Sequence, residues 1–257
     1  MIVIDWNEFT AQSKHHDEQY AAAIGVFDGI HIGHQALIKA LVQETARKKM
    51  IITFRENPKK ILRPESFSGD ITTLDQKLTY FENHGIDSTV IIDFSENFST
   101  IPGEVFVRTL VTARITKIII GWDFSCGYNL DTPSREVARL ARELTVDVEI
   151  IPPVISNGEV VSSTKIRKAI REGNIQYAVA MLGHPYALDV RMFNFSYEHQ
   201  RLTALSNTIV MPEQGTFNAV LTSTAYRYAD VCTFEHGTIT WRSAVLPEQP
   251  RFIELIS

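Results

Sequence analysis

GVFDGIHIGHQ, residues Gly25–Gln35, joins two kinds of hydrophobic periodicity. On its upstream side Ala21–Phe27 is a short, mostly apolar run of the kind found in strands buried on both faces. On its downstream side Leu37, Ile38, Leu41 and Val42 mark one face of a helix. Asp28-Gly29 supplies the turn between them. Similar apolar runs recur at Met50–Phe54, Thr89–Asp93, Lys117–Gly121 and Asp147–Ile151, and Met1–Asp5 is a candidate edge strand. The segments between them read as helices. Leu74, Leu78 and Phe81 follow the candidate cap Thr73 and precede Gly85, where a C′ glycine belongs. Val137, Leu140, Ala141 and Leu144 follow Ser134 at helical spacing. The alternation predicts an α/β domain with a doubly wound parallel sheet and right-handed crossovers. Ligands of such sheets bind beyond the carboxyl ends of the strands, where the strand order reverses.

The junction also carries candidate chemistry. His31 and His34 are three apart, a spacing that puts both on one face of a first helical turn. A helix N-terminus presents unpaired N–H groups and a positive dipole end, which favour phosphate. Gly33 removes a side chain where a nucleotide lies against the backbone. The combination suits the phosphate chain of ATP; the plainer reading is two surface histidines on a glycine-rich turn. A second element, VSSTKIR, covers Val161–Arg167. Ser162, Ser163 and Thr164 can simply cap a helix, whereas Arg167, one turn on, can grip phosphate oxygens bidentately. Lys165 reads as a solvated lysine. His15, His16 and Asp17 suggest a metal, but on a polar connection they read better as solvated side chains. Cys-x-x-Cys, Gly-x-Ser-x-Gly and Walker A patterns are missing.

Beyond residue 155 the pattern changes. VSSTKIRKAIREGN predicts a helix with Ile166, Ala169 and Ile170 on one face and Gly173 as its stop, and Ile175–Leu182 a second, ending at Gly183. After Tyr186 the stretches VRMFNF, TFNAVLT and YADVCTF alternate apolar and polar residues, and His236-Gly237 sits like a hairpin turn. The expected division is a domain of residues 1–183 and a small β-rich, barrel-like domain of residues 184–257.

The 257-residue chain is 44% hydrophobic and carries a net charge of −5, ordinary for a globular protein and unfavourable for nucleic acid as a bulk partner. Two cysteines, Cys126 and Cys232, give no disulfide framework. MIVIDWNEF has no basic n-region, so no signal peptide is expected, and no apolar run reaches the roughly 18 residues of a membrane span. The expectation is a cytoplasmic protein without membrane partners; its oligomeric state stays open.

GVFDGIHIGHQ, TFRENP, ITTLDQKL, GWDFSCG, VSSTKIR and LGHPYALDV stand in the order and spacing seen in bacterial bifunctional FAD synthetases. Over roughly residues 1–190 the chain resembles that family, whose N-terminal module is a Rossmann-like nucleotidylyltransferase and whose C-terminal module is a riboflavin kinase. The resemblance implies transfer of AMP from ATP to FMN with Mg²⁺ present, giving FAD and pyrophosphate. It implies catalytic roles for His31, His34 and Arg167, with both histidines on the ATP phosphates. It places Gly25, Phe27, Asp28, Gly33, Ser162, Ser163 and Thr164 on ATP, with Gly33 against the adenine and Asp28 toward nucleotide or metal. It places Phe54, Asn57, Pro58, Gly121, Asp123 and Phe124 on the flavin side. No residue is assigned as a protein ligand of the metal. His34 and Arg167 are both expected to be solvent-accessible in the empty site.

The chain departs from the pattern. Arg55-Glu56-Asn57-Pro58 stands where the family has Glu-Pro-His-Pro or similar, and Cys126 where it has a second Phe. The kinase module of the family carries a glycine-rich phosphate loop and a Pro-Thr-Ala-Asn motif. Between Gly183 and Gly215 this chain has no glycine, and neither Pro185 nor Pro212 begins that motif; Ser206-Asn207-Thr208 has the wrong order. About 70 residues follow Gly183, without the family's closing helix. MPEQGTFNAVL still resembles a family strand. The expectation is a remnant β domain without kinase activity. The alternatives are a chain that is still bifunctional, an adenylyltransferase for another phosphate monoester, and a non-catalytic nucleotide- or flavin-binding regulator.

Overall fold

The computed structural model describes residues 1–12, 18–94, 96–196, 201–204, 208–242 and 250–256. His15, His16, Asp17, Ser206 and Asn207, named above, lie outside the described residues. The chain sorts into two compact units. The first comprises Met1–Phe27, Gly33–Ser66 and Leu74–Val154; the second comprises Asp28–Ile32, Phe67–Thr73 and Ile155–Ser257.

The first unit is built on a six-stranded sheet. Its spatial order is Ile2–Asp5, Ser88–Ile92, Lys48–Phe54, Tyr20–Ile24, Ile115–Gly121, Asp147–Ile151. Every pairing is parallel. All the strands predicted for this sheet are present, with ends shifted by a few residues. Ala21, Ala22 and Ala23 are each fully buried. Alternate residues of a strand point to opposite faces, so this strand is covered on both. From Tyr20–Ile24 the chain steps outward through Lys48–Phe54 to Ser88–Ile92, then returns to the other side at Ile115–Gly121. The order reverses beside Tyr20–Ile24, and Gly25 leaves its carboxyl end, as a doubly wound sheet requires of a binding crevice. Trp6, Ile24, Met50, Val90, Phe106, Ile118 and Val137 belong to the core of this unit. Ser134 does not cap its helix: Pro133 holds the cap position and the Ser134 hydroxyl donates to the Trp122 carbonyl at 2.8 Å.

The second unit holds a seven-stranded antiparallel sheet. Its order is Tyr186–Asp189, Phe252–Leu255, Gln214–Thr222, Arg227–Glu235, Thr238–Trp241, Arg201–Ala204, Phe193–Ser196. The two edge strands are consecutive in the chain, joined only by the turn Val190–Met192. Such a link spans at most about 14 Å, whereas a flat sheet of this width measures about 29 Å. The sheet therefore curls into an open barrel. Helices Ser163–Arg171 and Ile175–Leu182 share one core with it, through Ile166, Ile170, Met181 and Leu182 beside Leu188, Leu221, Phe234 and Ile253. His236 and Gly237 both have positive φ, 46° and 77°, as the predicted hairpin turn demands. Asn157-Gly158, with φ of 50° and 79°, turns a further small hairpin between Ile155–Ser156 and Glu159–Val160, whose two-residue strands are too short to show an alternating pattern.

Candidate functional site

The backbone after Tyr20–Ile24 is strained. Phe27, Gly29 and Ile30 have φ of 53°, 82° and 39°. For a bulky or β-branched residue such a φ costs on the order of 1–3 kcal/mol and persists only where the surroundings over-determine it. The strain also moves a boundary. The helix is Ile32–Val42, so His31 precedes it and only His34 lies in its first turn; the expectation of both histidines within that turn is corrected. Ile30, in left-handed conformation, keeps helical dihedrals from starting earlier.

In the second unit the turn is braced from several sides. One Asp28 carboxylate oxygen accepts the backbone N–H of Ile71 at 2.8 Å and of Thr72 at 3.1 Å. The other is paired with the Arg167 guanidinium. Arg167 Nε also donates to the Gly69 carbonyl at 2.8 Å. The Ser163 hydroxyl donates to the Asp28 carbonyl at 2.9 Å, and Gly29 N–H to Thr72 Oγ1 at 3.0 Å. Asp28 and Arg167 are only 3% and 6% exposed, which corrects the expectation of a solvent-accessible arginine. The reason is charge neutralisation: an arginine on the buried side of Ser163–Arg171 keeps its charge only with an acceptor set such as this one. Ser162 is the N-cap, accepting from Lys165 N–H at 3.4 Å, while Thr164 is exposed. Lys165 lies at the surface, 2.7 Å from Glu159.

His31 is buried, and its pKa falls to about 4. Burial is the main cause, with the charges of Arg167 and His184 adding to it. The imidazole is therefore neutral near pH 7 and offers one N–H donor. In the first unit His34 is half-buried with its ring 5.3 Å from that of Phe27, which in turn meets Phe81 edge-on at 5.5 Å. A Cβ on Gly25 would lie 3.4 Å from the Phe27 ring, in ordinary van der Waals contact.

Three sets of expected residues leave the carboxyl ends of three neighbouring parallel strands of the first unit: Gly25–Phe27, Phe54–Pro58 and Gly121–Phe124. The flavin-side residues have evident packing roles. Phe54 meets Phe94 and Phe98 at 5.7 and 6.3 Å. Asn57 caps the short helix Pro58–Leu62, accepting from Lys59 N–H at 3.1 Å. Phe124 packs on the core, as does Cys126, and Asp123 is exposed.

Two residues outside the expected set serve these segments. Lys77, buried in Leu74–Asn83, donates to the carbonyls of Val26 and Phe54, each at 3.2 Å, and so ties two adjacent strand ends. Its signal was a lysine among Leu74, Leu78 and Phe81 on the apolar face of ITTLDQKL. In the second unit His184 Nε2 donates to the Gly29 carbonyl at 3.0 Å; a histidine within LGHPYALDV carried no comparable signal. Among the described residues no group of three or more His, Cys, Asp or Glu could hold a metal ion. The Asp28 carboxylate is already committed to Arg167 and two amides, so these residues do not fit a protein-held Mg²⁺. No helix among the described residues is long and apolar enough to cross a membrane.

The fold has a close counterpart in a solved structure, the "Macrolide-efflux Protein from Streptococcus pneumoniae". The TM-score is 0.79 over 99% of this chain and 97% of that one, at 21% identity. In sequence the chain is similar to the bifunctional riboflavin kinase/FMN adenylyltransferase of Escherichia coli strain K12, 29% identical over 175 residues. That match covers 66% of this chain but only 56% of the relative, so the chain spans little more than half the length of such bifunctional proteins. An FAD synthetase of Listeria monocytogenes is 27% identical over 198 residues, 76% of this chain and 78% of the relative. The sequence model of the FAD synthetase family matches residues 13–165, more than half of the chain and the span that holds the turn, both flavin-side segments and the start of the helix that carries Arg167. The chain belongs to the FAD synthetase family.

Proposed function

We propose that this protein transfers AMP from ATP to FMN. A phosphate oxygen of FMN attacks the α-phosphorus, the bond from that phosphorus to the bridging oxygen breaks, and pyrophosphate leaves as FAD forms. The observation that carries this reading is the strained turn at Asp28–Ile30, braced within the second unit by the buried Asp28–Arg167 network. The FMN phosphate is already anionic, so no protein nucleophile is required. The protein's part is orientation and stabilisation of charge on the α-phosphate and pyrophosphate. His34 and neutral His31 donate hydrogen bonds to phosphate. Arg167 offers donors beyond the two that its described bonds use. Ser162, Ser163 and Thr164, at the N-terminus of the helix Ser163–Arg171, contact ATP, as do Gly25, Phe27 and Gly33. Phe54, Asn57, Pro58, Gly121, Asp123 and Phe124 border the flavin. Mg²⁺ enters with ATP as part of the substrate, and the activity depends on it.

Residues 1–183 supply the residues proposed for adenylyl transfer, and the β strands of residues 184–257, which share a core with helices Ser163–Arg171 and Ile175–Leu182, no longer phosphorylate riboflavin. The missing glycines and Pro-Thr-Ala-Asn motif support the loss of kinase activity, as does the longer match to the FAD synthetase than to the bifunctional relative. The reaction is placed in the cytoplasm. The test supplies purified protein with ATP, Mg²⁺ and either FMN or riboflavin and separates the products. FAD and pyrophosphate are expected from FMN, and neither FMN nor FAD from riboflavin. Adenylylation of another phosphate monoester but not FMN would overturn the substrate, and FMN accumulating from riboflavin would overturn the loss of the kinase.

A further inference from the structure

We infer that the β-rich part of the second unit takes part in adenylyl transfer as a support for Arg167, with Gly69 and Tyr186 as positioning residues. This rests on the proposed role of Arg167 toward the triphosphate.

A continuous chain of contacts within the second unit carries the inference. The Tyr186 side chain, on the first strand of the curled sheet, is almost wholly buried, and its hydroxyl donates to the Val210 carbonyl. Val210 N–H donates to the Asp70 carbonyl at 2.9 Å, and Asp70 N–H to the Thr208 carbonyl at 2.8 Å, so the two segments pair as a short parallel bridge. Gly69, next in line, offers its carbonyl to Arg167 Nε at 2.8 Å, and Arg167 continues to Asp28. The approach at Gly69 leaves no room for a side chain. A Cβ there would stand 2.7 Å from backbone atoms of Ile209 and Val210, and φ is +97°. Glycine is the residue that accepts both conditions. A second tie holds the same helix: Glu213 N–H donates to the Arg171 carbonyl at 3.0 Å, and the two side chains are paired.

A buried guanidinium takes its direction from its acceptors. The Gly69 carbonyl is one of them, and the segment Thr208–Val210 sets where that carbonyl stands. Retention of a β domain without its own phosphate loop then has a physical reason: it aims the arginine.

The test compares Gly69→Ala and Tyr186→Phe with Leu221→Ala, which opens a cavity in the same core but removes none of these hydrogen bonds. Each variant is assayed for FAD formation with ATP and FMN varied separately, for ATP binding by calorimetry without FMN, and for thermal stability. Gly69→Ala is expected to lower kcat/KM for ATP about tenfold or more and to weaken ATP binding, with KM for FMN within about twofold. Tyr186→Phe, which keeps the ring, shifts ATP in the same direction by about threefold and covers the case in which Gly69→Ala fails to fold. Leu221→Ala lowers Tm and leaves both KM values alone. Folded Gly69→Ala or Tyr186→Phe protein with unchanged ATP kinetics and binding would overturn the inference, as would an equal ATP effect from Leu221→Ala. Wild-type protein that binds ATP yet makes no FAD would sink the proposed reaction, while the binding series would still decide the inference.

Discussion

The turn Phe27–His31 and the segment Phe54–Pro58 leave the carboxyl ends of neighbouring parallel strands, yet they are held by different means. The turn carries three positive φ values and is locked by a carboxylate on two amides, a hydroxyl on a carbonyl and a buried ion pair. The segment at Phe54 has ordinary backbone: Asn57 is extended, with φ −64° and ψ 123°, and caps its own helix, while Arg55 pairs with exposed Asp5 at 2.7 Å. A strained conformation has to be paid for by distant partners, and changing any one of them is felt throughout. A locally capped segment tolerates exchange.

Substitutions can break this contrast or sharpen it. Arg167→Ala is expected to have the largest effect. Losing a preorganised charge-stabilising donor lowers kcat/KM by roughly 10²-fold or more. Leaving Asp28 buried without its partner costs about 3–5 kcal/mol in addition. Urea titration alongside kinetics separates the two, and a stability unchanged by the substitution would mean that the ion pair does not brace the turn. His34→Ala should lower kcat/KM by a similar factor, roughly 10²-fold, with little change in Tm, because this ring is only half-buried against Phe27. Near-normal turnover would make His34 a decoration of its helix.

The third prediction concerns pH. His31 has a folded pKa of about 4, below its ordinary value of 6.5. The unfolded chain therefore takes up a proton before the folded one does. Stability is fully present above pH 6.5 and is lost as pH falls toward 4, by about 3 kcal/mol from this group. His31→Gln should flatten that part of the stability profile, measured by urea titration between pH 7 and 4.5; an unaltered slope would assign the loss to other groups. The smallest effect is expected on the flavin side. Asn57→Ala should cost about 1 kcal/mol as the loss of an N-cap, and Asn57→Asp should restore most of it. A large rise in KM for FMN with Asn57→Asp, despite the intact cap, would show that the amide reads the flavin and that the two regions are less different than their backbones suggest.

Much of this was legible from local pattern. The strands, Ile175–Leu182 and the His236-Gly237 turn follow from apolar spacing and turn chemistry, which are properties of adjacent residues. The burial of Arg167 was not legible. Its partner Asp28 lies 139 positions away, and VSSTKIR by itself reads as a capped helix with a surface arginine. Lys77 was half legible, since a lysine between Leu74 and Leu78 is also what the margin of an amphipathic helix looks like. Ile30 was the least legible, because a β-branched residue argues locally against positive φ and only remote hydrogen bonds overrule it.

The sequence by itself thus determined the order of strands and helices, and that a histidine-bearing turn follows a doubly buried strand, because side-chain periodicity acts within a few residues. Tertiary structure alone decided which charges are neutralised and which histidine is held uncharged. It also decided which backbone strain survives, because each depends on groups that meet only once the chain has folded.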